Sequence, residues 1–377
     1  MISVFENKKC CGCTACADIC PVNAISISTD REGFLYPQVN NDKCIDCGLC
    51  EKVCPALSNP KFNDKPDVYA LQLKNNDELK KSQSGGAFWA IADSVLQGGG
   101  VVYGAMFDKD LKVIHGRAET PDEAEKFHGS KYVQTDMRGI MKKVKYDLQS
   151  GRQVLFTGTA CHIDGLYNFL GKQYDNLITC DFICHGVPSP LLLEKFFAYV
   201  KNKNKNDIKS FSFGYYDPDE GYNWDDPREE RIFFENGIAL KSKKYIEMFC
   251  SNWCIRPYCH TCPYTKSERI ADFTIGDCWG AENFTHSFNI KKGVSVIFAN
   301  SVKAKEMLPI IKEAAICEAV SMENVKKYQL NLSVPSQKNK RRKLLMDKLI
   351  NKGFISAYRT ERFYYMLYCV KQKASGK

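Results

Sequence analysis

The sequence predicts a mixed fold, α/β or α+β, in which a small cysteine-rich module precedes a larger domain. Two observations favour this fold. Nine of the 19 cysteines fall within the first 58 residues, and apolar strand-like segments alternate with helix-like segments from about residue 67 onward. The chain has 377 residues, of which 44% are hydrophobic. This length suits a small module with one large domain or two medium ones.

The N-terminal module contains two copies of the cysteine pattern C-x2-C-x2-C-x3-C-P. In two-cluster bacterial ferredoxins this run wraps a 4Fe-4S cluster, and the fourth cysteine of each run ligates the other cluster. A zinc ribbon needs four sulfurs for each metal rather than interleaved runs. The module is therefore predicted to be a ferredoxin-like dicluster domain over residues 1–58. The predicted ligand sets are Cys10, Cys13, Cys16 and Cys54 for one cluster, and Cys44, Cys47, Cys50 and Cys20 for the other.

Cys11 is left over, because the register that ends on Cys-Pro requires Cys10. After the module, a linker rich in Pro, Asn and Lys separates it from the larger domain, which is predicted to span residues 67–320. A basic helical region is predicted at 321–377.

Positive charge is concentrated in that C-terminal region. Residues 321–377 contain 14 Lys or Arg and 3 Asp or Glu, whereas the net charge of the whole chain is +9. The region is interpreted either as a solvated tail or as a docking patch for an acidic redox partner or a membrane surface. No nucleic-acid-binding motif accompanies it, so no nucleic-acid partner is expected.

The sequence shows no targeting signal. Its first residues lack the apolar core of a signal peptide, and no run approaches the roughly 18 apolar residues of a transmembrane helix. The chain is therefore expected to be a reduced, cytoplasmic protein.

The larger domain is predicted to be a sheet whose strands alternate with helices. A β-rich segment with an Asn236-Gly237 hairpin turn is predicted within 209–241. The predicted strands are 68–73, 101–107, 154–157, 177–183, 273–277 and 294–299, and the predicted helices are 87–97, 138–149, 164–170, 191–201 and 302–314.

Four further cysteines suggest a second kind of site. Cys161 and Cys184 follow predicted strands directly, where ligand sites gather in α/β sheets. Cys259 and Cys262 form a C-x2-C-P pair in a predicted loop. These four could hold a third 4Fe-4S cluster, and the spacing leaves two alternatives open. One is that several of these cysteines are buried and bind nothing; the other is a local zinc site formed by Cys250, Cys254, Cys259 and Cys262.

Two glycine-containing stretches are candidates for ligand binding. Ser84-Gly85-Gly86, at a predicted helix start, would offer backbone N–H groups to a phosphate, although a helix cap explains the same residues. Gly129-Ser130-Lys131-Tyr132 places a cation and an aromatic ring in a predicted loop, where a surface lysine is the simpler interpretation. No G-x-G-x-x-G follows a strand, so no Rossmann dinucleotide site is evident.

Five further stretches stand out in the larger domain: SGGAF at 84–88, GSKYVQ at 129–134, FTGTACH at 156–162, CHGVPSP at 184–190, and RPYCHTCPY at 256–264 running on to DFTIGD at 272–277. Together, in this order, they resemble the beta-subunit family of coenzyme F420-reducing hydrogenases and dehydrogenases over about residues 67–300. The fused dicluster module and the CHGVPSP stretch resemble the bacterial branch of that family, whose members need not use a deazaflavin. Two departures are Ala160-Cys161-His162, where the family often has Pro-Cys-Gln, and Cys278, where it often has an aromatic residue.

The resemblance implies FAD and a third 4Fe-4S cluster. By motif, the cluster ligands would be Cys161, Cys184, Cys259 and Cys262. Ser84, Gly85 and Gly86 would approach the FAD phosphates. Ser130 and Lys131 would lie near the flavin, and Asp277 would border the same pocket.

Together these features predict an oxidoreductase that converts between two-electron and one-electron transfer. A small hydride donor or acceptor would react at FAD, and the clusters would connect FAD to a redox partner protein. Lys131 is the predicted catalytic residue, because its cation would stabilise negative charge on reduced flavin or substrate. An alternative is an electron-transfer subunit that has no substrate of its own and serves a partner enzyme.

Overall fold

The computed structural model describes residues 9–214 and 229–374. The predicted β-rich segment 209–241 is described only in part, because residues 215–228 lie outside the described residues. The first eight residues, which bear on the expected lack of a targeting signal, also lie outside them. Within the two described ranges, no helix combines the length and the apolar character needed to cross a membrane.

The N-terminal module is a two-stranded antiparallel sheet flanked by two short helices. Each helix lies within one cysteine run and starts after a residue in the left-handed region, Thr14 with a φ of 62° and Gly48 with a φ of 72°. These two residues fold each run back on itself. The elements are α1 (Ala15–Ile19), β1 (Ile25–Thr29), β2 (Leu35–Val39) and α2 (Leu49–Lys52).

The remaining strands form one large sheet and one small sheet. They are β3 (Asp67–Leu73), β4 (Val101–Phe107), β5 (Val113–Ala118), β6 (Val154–Thr157), β7 (Leu177–Phe182), β8 (Ile208–Ser212), β9 (Glu230–Phe234), β10 (Ala239–Ser242), β11 (Phe273–Asp277), β12 (Ser295–Ala299) and β13 (Ala315–Ala319). The large sheet has the order β13-β3-β12-β11-β7-β6-β4-β5. Its four central strands, from β11 to β4, are parallel, and the strands outside them pair antiparallel.

Helices connect and cover these strands. They are α3 (Asn76–Lys81), α4 (Ala87–Gln97), α5 (Pro121–Ala124), α6 (Ile140–Gln149), α7 (Ala160–Leu170), α8 (Pro190–Asn204), α9 (Lys244–Cys250), α10 (Val302–Ala314), α11 (Met322–Tyr328), α12 (Arg342–Lys352) and α13 (Phe354–Ala374). Short 3-10 turns, including Pro257–Thr261, join several of them.

Two apolar layers cover the large sheet. Side chains of a strand alternate between its two faces, so Val102 of β4 packs with α4 and α10 while Val101 packs with α6 and α7. The dicluster module joins the second layer, because Cys11, Cys13 and Val53 belong to the same apolar cluster as α7. The parallel strands and the module are therefore in direct contact.

A third apolar cluster unites the small sheet with the C-terminal helices. The sheet has the order β10-β9-β8, and its Phe211 packs against Phe196 of α8. Leu345 of α12 and Phe354 of α13 lie in the same cluster. The predicted basic region is helical and is partly buried against α8.

The predicted mixed α/β fold is confirmed. The α4, α10, β4, β6 and β11 bounds agree with the predicted ones, and Asn236 and Gly237 form the predicted turn between β9 and β10. The start of α7 was predicted wrongly: the helix begins at Ala160, not at 164. Cysteine and histidine are weak helix formers, which concealed this first turn, and Cys161 lies on it.

Candidate functional site

Four cysteines line a small cavity at the exposed end of the dicluster module. Cys20 joins the cysteines of the second run, Cys44, Cys47 and Cys50, around a space of about 20 Å³. Cys47 is exposed and the other three are half-buried. This is the grouping across runs that interleaved ferredoxin motifs produce.

The other four motif cysteines are buried where the module meets the larger domain. Cys10, Cys16 and Cys54 share one cluster of buried residues, and the Cys13 sulfur lies against Gly165 of α7. Burial, reinforced by the thiols of Cys10 and Cys54, raises the pKa of Cys16 above its usual range. Burial also raises the pKa of Cys54, to about 11. Such thiols lose their protons when they coordinate a metal centre.

The four candidate ligands of a third cluster line one further cavity of about 30 Å³. Cys161 comes from the first turn of α7, and Cys184 comes from the segment after β7. Cys259 lies on the 3-10 turn Pro257–Thr261, and Cys262 follows the end of that turn. Burial raises the pKa of Cys259 and of Cys262 to about 12. The fold thus collects four thiols from three separate segments around one space.

Cys11, which the motif register leaves over, also lines this third cavity. Its buried thiol interacts with the thiols of both Cys13 and Cys161. Cys11 therefore lies between the third site and the buried group of Cys10, Cys13, Cys16 and Cys54, which we call the first dicluster group. Sequence analysis missed this role because Cys11 belongs to no ligand spacing.

Two of the four cysteines of the alternative zinc site, Cys250 and Cys254, lie apart from the other two. Cys250 is exposed at the end of α9, and Cys254 is buried with its sulfur 3.5 Å from the Met248 carbonyl oxygen. Neither lines the cavity shared by Cys259 and Cys262. Across residues 9–214 and 229–374, no three Cys, His, Asp or Glu side chains converge closely enough to hold a single metal ion. A cubane cluster needs its sulfurs spread around a space, one to each iron.

A larger cavity of about 280 Å³ lies at the carboxyl ends of the central parallel strands. The last residues of β6, β7 and β11 all line it, where ligands of α/β sheets characteristically bind. These residues are Thr157, Phe182 and Asp277. Five candidate flavin residues line the same cavity: Ser84, Gly86, Ser130, Lys131 and Asp277.

Gly85, the sixth candidate, lies in close packing beside the cavity. A Cβ at Gly85 would collide with the backbones of Leu71 in β3 and Ser295 in β12. Its carbonyl oxygen accepts a hydrogen bond from the Leu73 N–H at 2.9 Å. The glycine therefore allows the chain to pass close to the sheet, and Gly85 is not part of the cavity lining.

Two helix N-termini border the large cavity. α4 begins after Gly86, which has a φ of 86°, and α7 begins after Thr159; neither residue caps its helix through a side-chain hydrogen bond. Ala87 and Gly158 line the cavity beside them. Backbone N–H groups at such helix ends bind phosphates and other anions.

Lys131 is held at the wall of the large cavity by backbone groups. Its Nζ donates to the carbonyl oxygens of His128 at 2.7 Å and Lys126 at 3.0 Å. Burial lowers the pKa of Lys131 from its usual range to about 7. A lysine with such a pKa exchanges its proton near neutral pH.

Four histidines to which the sequence assigned no role line the same cavity: His115, His128, His162 and His185. Burial lowers the pKa of His115 to about 4 and that of His162 to about 3, so both are neutral at pH 7. His115 contacts Thr135 Oγ1 at 3.2 Å and the Thr157 carbonyl oxygen at 2.7 Å. Among the described residues His162 Nδ1 has no hydrogen-bond partner, which indicates a place for a polar ligand group.

The third cavity and the large cavity share a wall. Thr159 and the segment Cys184 to Val187 line both spaces. Cys184 is thus a candidate ligand of the third cluster that also borders the large cavity.

Comparison with known proteins finds two family models and a solved structure to which the chain is similar. Residues 151–325 match the family model for the C-terminal part of the beta subunit of coenzyme F420 hydrogenase/dehydrogenase, and residues 9–57 match the model "4Fe-4S dicluster domain". Among solved structures, the chain is similar to a chain of the xenon-derivatised F420-reducing NiFe hydrogenase complex from Methanosarcina barkeri. That match covers 77% of this chain and 94% of the other, with 15% sequence identity and a TM-score of 0.47. No curated protein sequence is significantly similar to the chain.

Proposed function

We propose that the chain is an iron–sulfur flavoprotein oxidoreductase, from the premise that residues 151–325 match the family model for the C-terminal part of coenzyme F420 hydrogenase/dehydrogenase beta subunits and residues 9–57 match the model for a 4Fe-4S dicluster domain. In this role it passes electrons between a small hydride donor or acceptor, bound at FAD, and a one-electron carrier. The observation that carries this proposal is a series of three cysteine sites, of which the third shares a wall with the large cavity.

These sites form a continuous series from the surface to the interior. The series starts at the cavity around exposed Cys47 and reaches the buried group of Cys10, Cys13, Cys16 and Cys54. Cys11 contacts both Cys13 and Cys161, which joins that group to the third cavity. Cys184 then borders the large cavity. A series of adjoining cofactor sites is what stepwise electron transfer requires.

The third cysteine set fits a 4Fe-4S cluster. Cys161, Cys184, Cys259 and Cys262 surround one enclosed space and come from three segments fixed by the sheet. The buried guanidinium of Arg269 lies near Cys262 and forms an ion pair with Asp181 at 2.8 Å. The four cysteines would hold the cluster, and Arg269 with Asp181 would support the loop that follows Cys262.

The lining of the large cavity offers the groups that FAD would need. The N-termini of α4 and α7 would bind the phosphates, with Gly86 and Gly158 allowing close approach. Ser130 and Lys131 would lie along the flavin ring, and His162 Nδ1 would gain a hydrogen-bond partner. FAD, when bound, accepts a hydride as an electron pair and releases electrons singly to iron–sulfur clusters.

Lys131 would hold or release a proton beside the ring. Below about pH 7 its ammonium form dominates and stabilises negative charge in the cavity. The carbonyl groups of Lys126 and His128 fix the position of Nζ, and neutral His115 and His162 add no competing positive charge. Apolar residues such as Phe88 and Ile183 also line the cavity and exclude water from it.

The surface around Cys47 would receive a one-electron partner protein. Ile45 is 61% exposed and Val22 is 38% exposed, and both line the cavity of the outer cysteine group. Exposed apolar residues around an exposed cofactor site are typical of weak redox contacts between proteins.

The test is anaerobic mixing of the iron- and flavin-loaded chain with hydride donors, including reduced coenzyme F420 and NADH. We expect one donor to bleach the flavin absorbance and to produce the electron paramagnetic resonance signal of reduced clusters. If dithionite reduces the flavin but no hydride donor does, this result would contradict the proposal that the chain has a substrate of its own. That result would favour the second candidate, an electron-transfer subunit of a larger complex, for which the basic C-terminal region offers a docking surface.

A further inference from the structure

Arg256 is a buried cation that lies between two of the cysteine sites. Its side chain is fully buried. Nε donates to the Cys10 carbonyl oxygen at 2.6 Å, and Nη2 donates to the Leu35 carbonyl oxygen at 2.9 Å. The Arg256 carbonyl accepts from the N–H of Cys259 at 3.0 Å. One residue therefore touches the first dicluster group and the third cysteine set.

The described residues provide no carboxylate partner for this charge. Arg269 and Arg342, the other buried arginines nearby, pair with Asp181 and Glu32. Arg256 instead lies 4.2 Å from the centre of the Tyr36 ring. Asp30 interacts with Arg256 only at longer range, and its carboxylate accepts from the Phe34 N–H at 2.8 Å. A buried charge without a counter-charge is costly, so the described protein groups leave this cation without a partner charge.

Two unsatisfied N–H donors point to where that partner charge would be. Arg256 Nη1 and Gln134 Nε2 are both buried, and neither has a hydrogen-bond partner among the described residues. A Cβ on Gly12 would collide with Gln134 Nε2 and would lie 3.1 Å from Arg256 Nη1. Gly12 lies between Cys11 and Cys13, so both donors face the cysteine loop. The thiol groups that interact with the Arg256 charge include those of Cys10, Cys11, Cys161 and Cys259.

We propose that Arg256 is a positioning residue that raises the reduction potentials of the first dicluster cluster and the third cluster. This inference rests on the proposed function, since it takes both cysteine sets as cluster ligands. Each electron added to a thiolate-bound cluster increases its negative charge by one unit, and a fixed buried cation favours the more negative state. N–H donors aimed at the thiolate sulfurs act in the same direction.

The test compares Arg256→Met with Arg256→Lys in redox titrations of the iron-loaded chain. Electron paramagnetic resonance detects the reduced clusters during each titration. We expect Arg256→Met to weaken electron binding by the cluster of the first dicluster group at least tenfold. The reduction potential of that cluster would then be at least 59 mV more negative. Arg256→Lys keeps the positive charge and should therefore change the electron affinity of the cluster less than threefold. Wild-type potentials in an iron-loaded Arg256→Met protein would overturn the proposal.

A second variant keeps the test valid if Arg256→Met fails to assemble its clusters. Gln134→Glu retains the acceptor for the Leu35 N–H, at 3.0 Å in the wild type, and places a carboxylate beside Arg256. It should move the potentials in the negative direction, whereas the control Tyr36→Phe should not. Unchanged potentials in Gln134→Glu would equally overturn the role of Arg256. The first dicluster cluster reports on Arg256 even if the third site holds no cluster, so the two proposals fail separately.

Discussion

Substitution of Cys184 by serine is expected to remove the third cluster and to disconnect the large cavity from the dicluster module. Cys184 is the candidate ligand that lines both the third cavity and the large cavity. The iron content should fall by about 4 of about 12 atoms per chain, while flavin is retained. Reduction of the dicluster module by a hydride donor should slow by at least about 100-fold, the upper end of effects for groups around metal sites. Iron analysis and rapid mixing measure both outcomes.

Cys254→Ser is the matched control for that variant. Cys254 is buried like the ligands but lies beside Met248, away from the third cavity. It should therefore keep iron, flavin and electron transfer. Loss of metal in Cys254→Ser but not in Cys184→Ser would contradict the cluster assignment and would revive the zinc site of Cys250, Cys254, Cys259 and Cys262.

Substitution of Lys131 by methionine is expected to lower turnover with a hydride donor by about 100-fold, the lower end of effects for positioned proton-transfer groups. Iron and flavin contents should not change, because among the described residues the Lys131 Nζ donates only to backbone carbonyl groups. Steady-state kinetics under anaerobic conditions measure the effect. The control is Lys126→Met. Lys126 is exposed and contacts Lys131 through its backbone carbonyl, which the substitution keeps, so this variant should retain wild-type turnover.

The pH dependence of turnover provides a separate check on Lys131. Burial lowers its pKa to about 7, so the cationic form is complete below that value and is lost as the pH rises through it. If the cation is the active form, kcat/KM should decrease above about pH 7 in the wild type. Lys131→Arg should remove this decrease, because a guanidinium keeps its charge. Equal turnover and an equal pH profile in Lys131→Met and wild type would exclude a catalytic role.

The fold class and the dicluster pattern were predictable because both depend on local sequence. Spacing of two residues between cysteines, followed by Cys-Pro, fixes which thiols can share a cluster. Apolar runs such as 101–107 and 154–157 define strands directly. The C-x2-C-P pair at Cys259 and the strand-end positions of Cys161 and Cys184 pointed to a common site because parallel strands end at one edge of the sheet.

The parts that could not be predicted depend on contacts between distant segments. Cys11 meets Cys161 only because the module packs on α7, and no spacing encodes that contact. Gly85 is predicted to approach the FAD phosphates, and only the fold shows that a side chain there would also collide with β3 and β12. Arg256 appeared as part of a motif, but its burial without a carboxylate is visible only in three dimensions.

Iron and flavin analysis of the chain, purified without oxygen, decides whether one polypeptide joins a flavin to three clusters. The account predicts about 12 iron atoms and one FAD per chain. About 8 iron atoms without flavin would contradict it, and would leave a dicluster domain attached to an α/β domain whose large cavity serves another ligand.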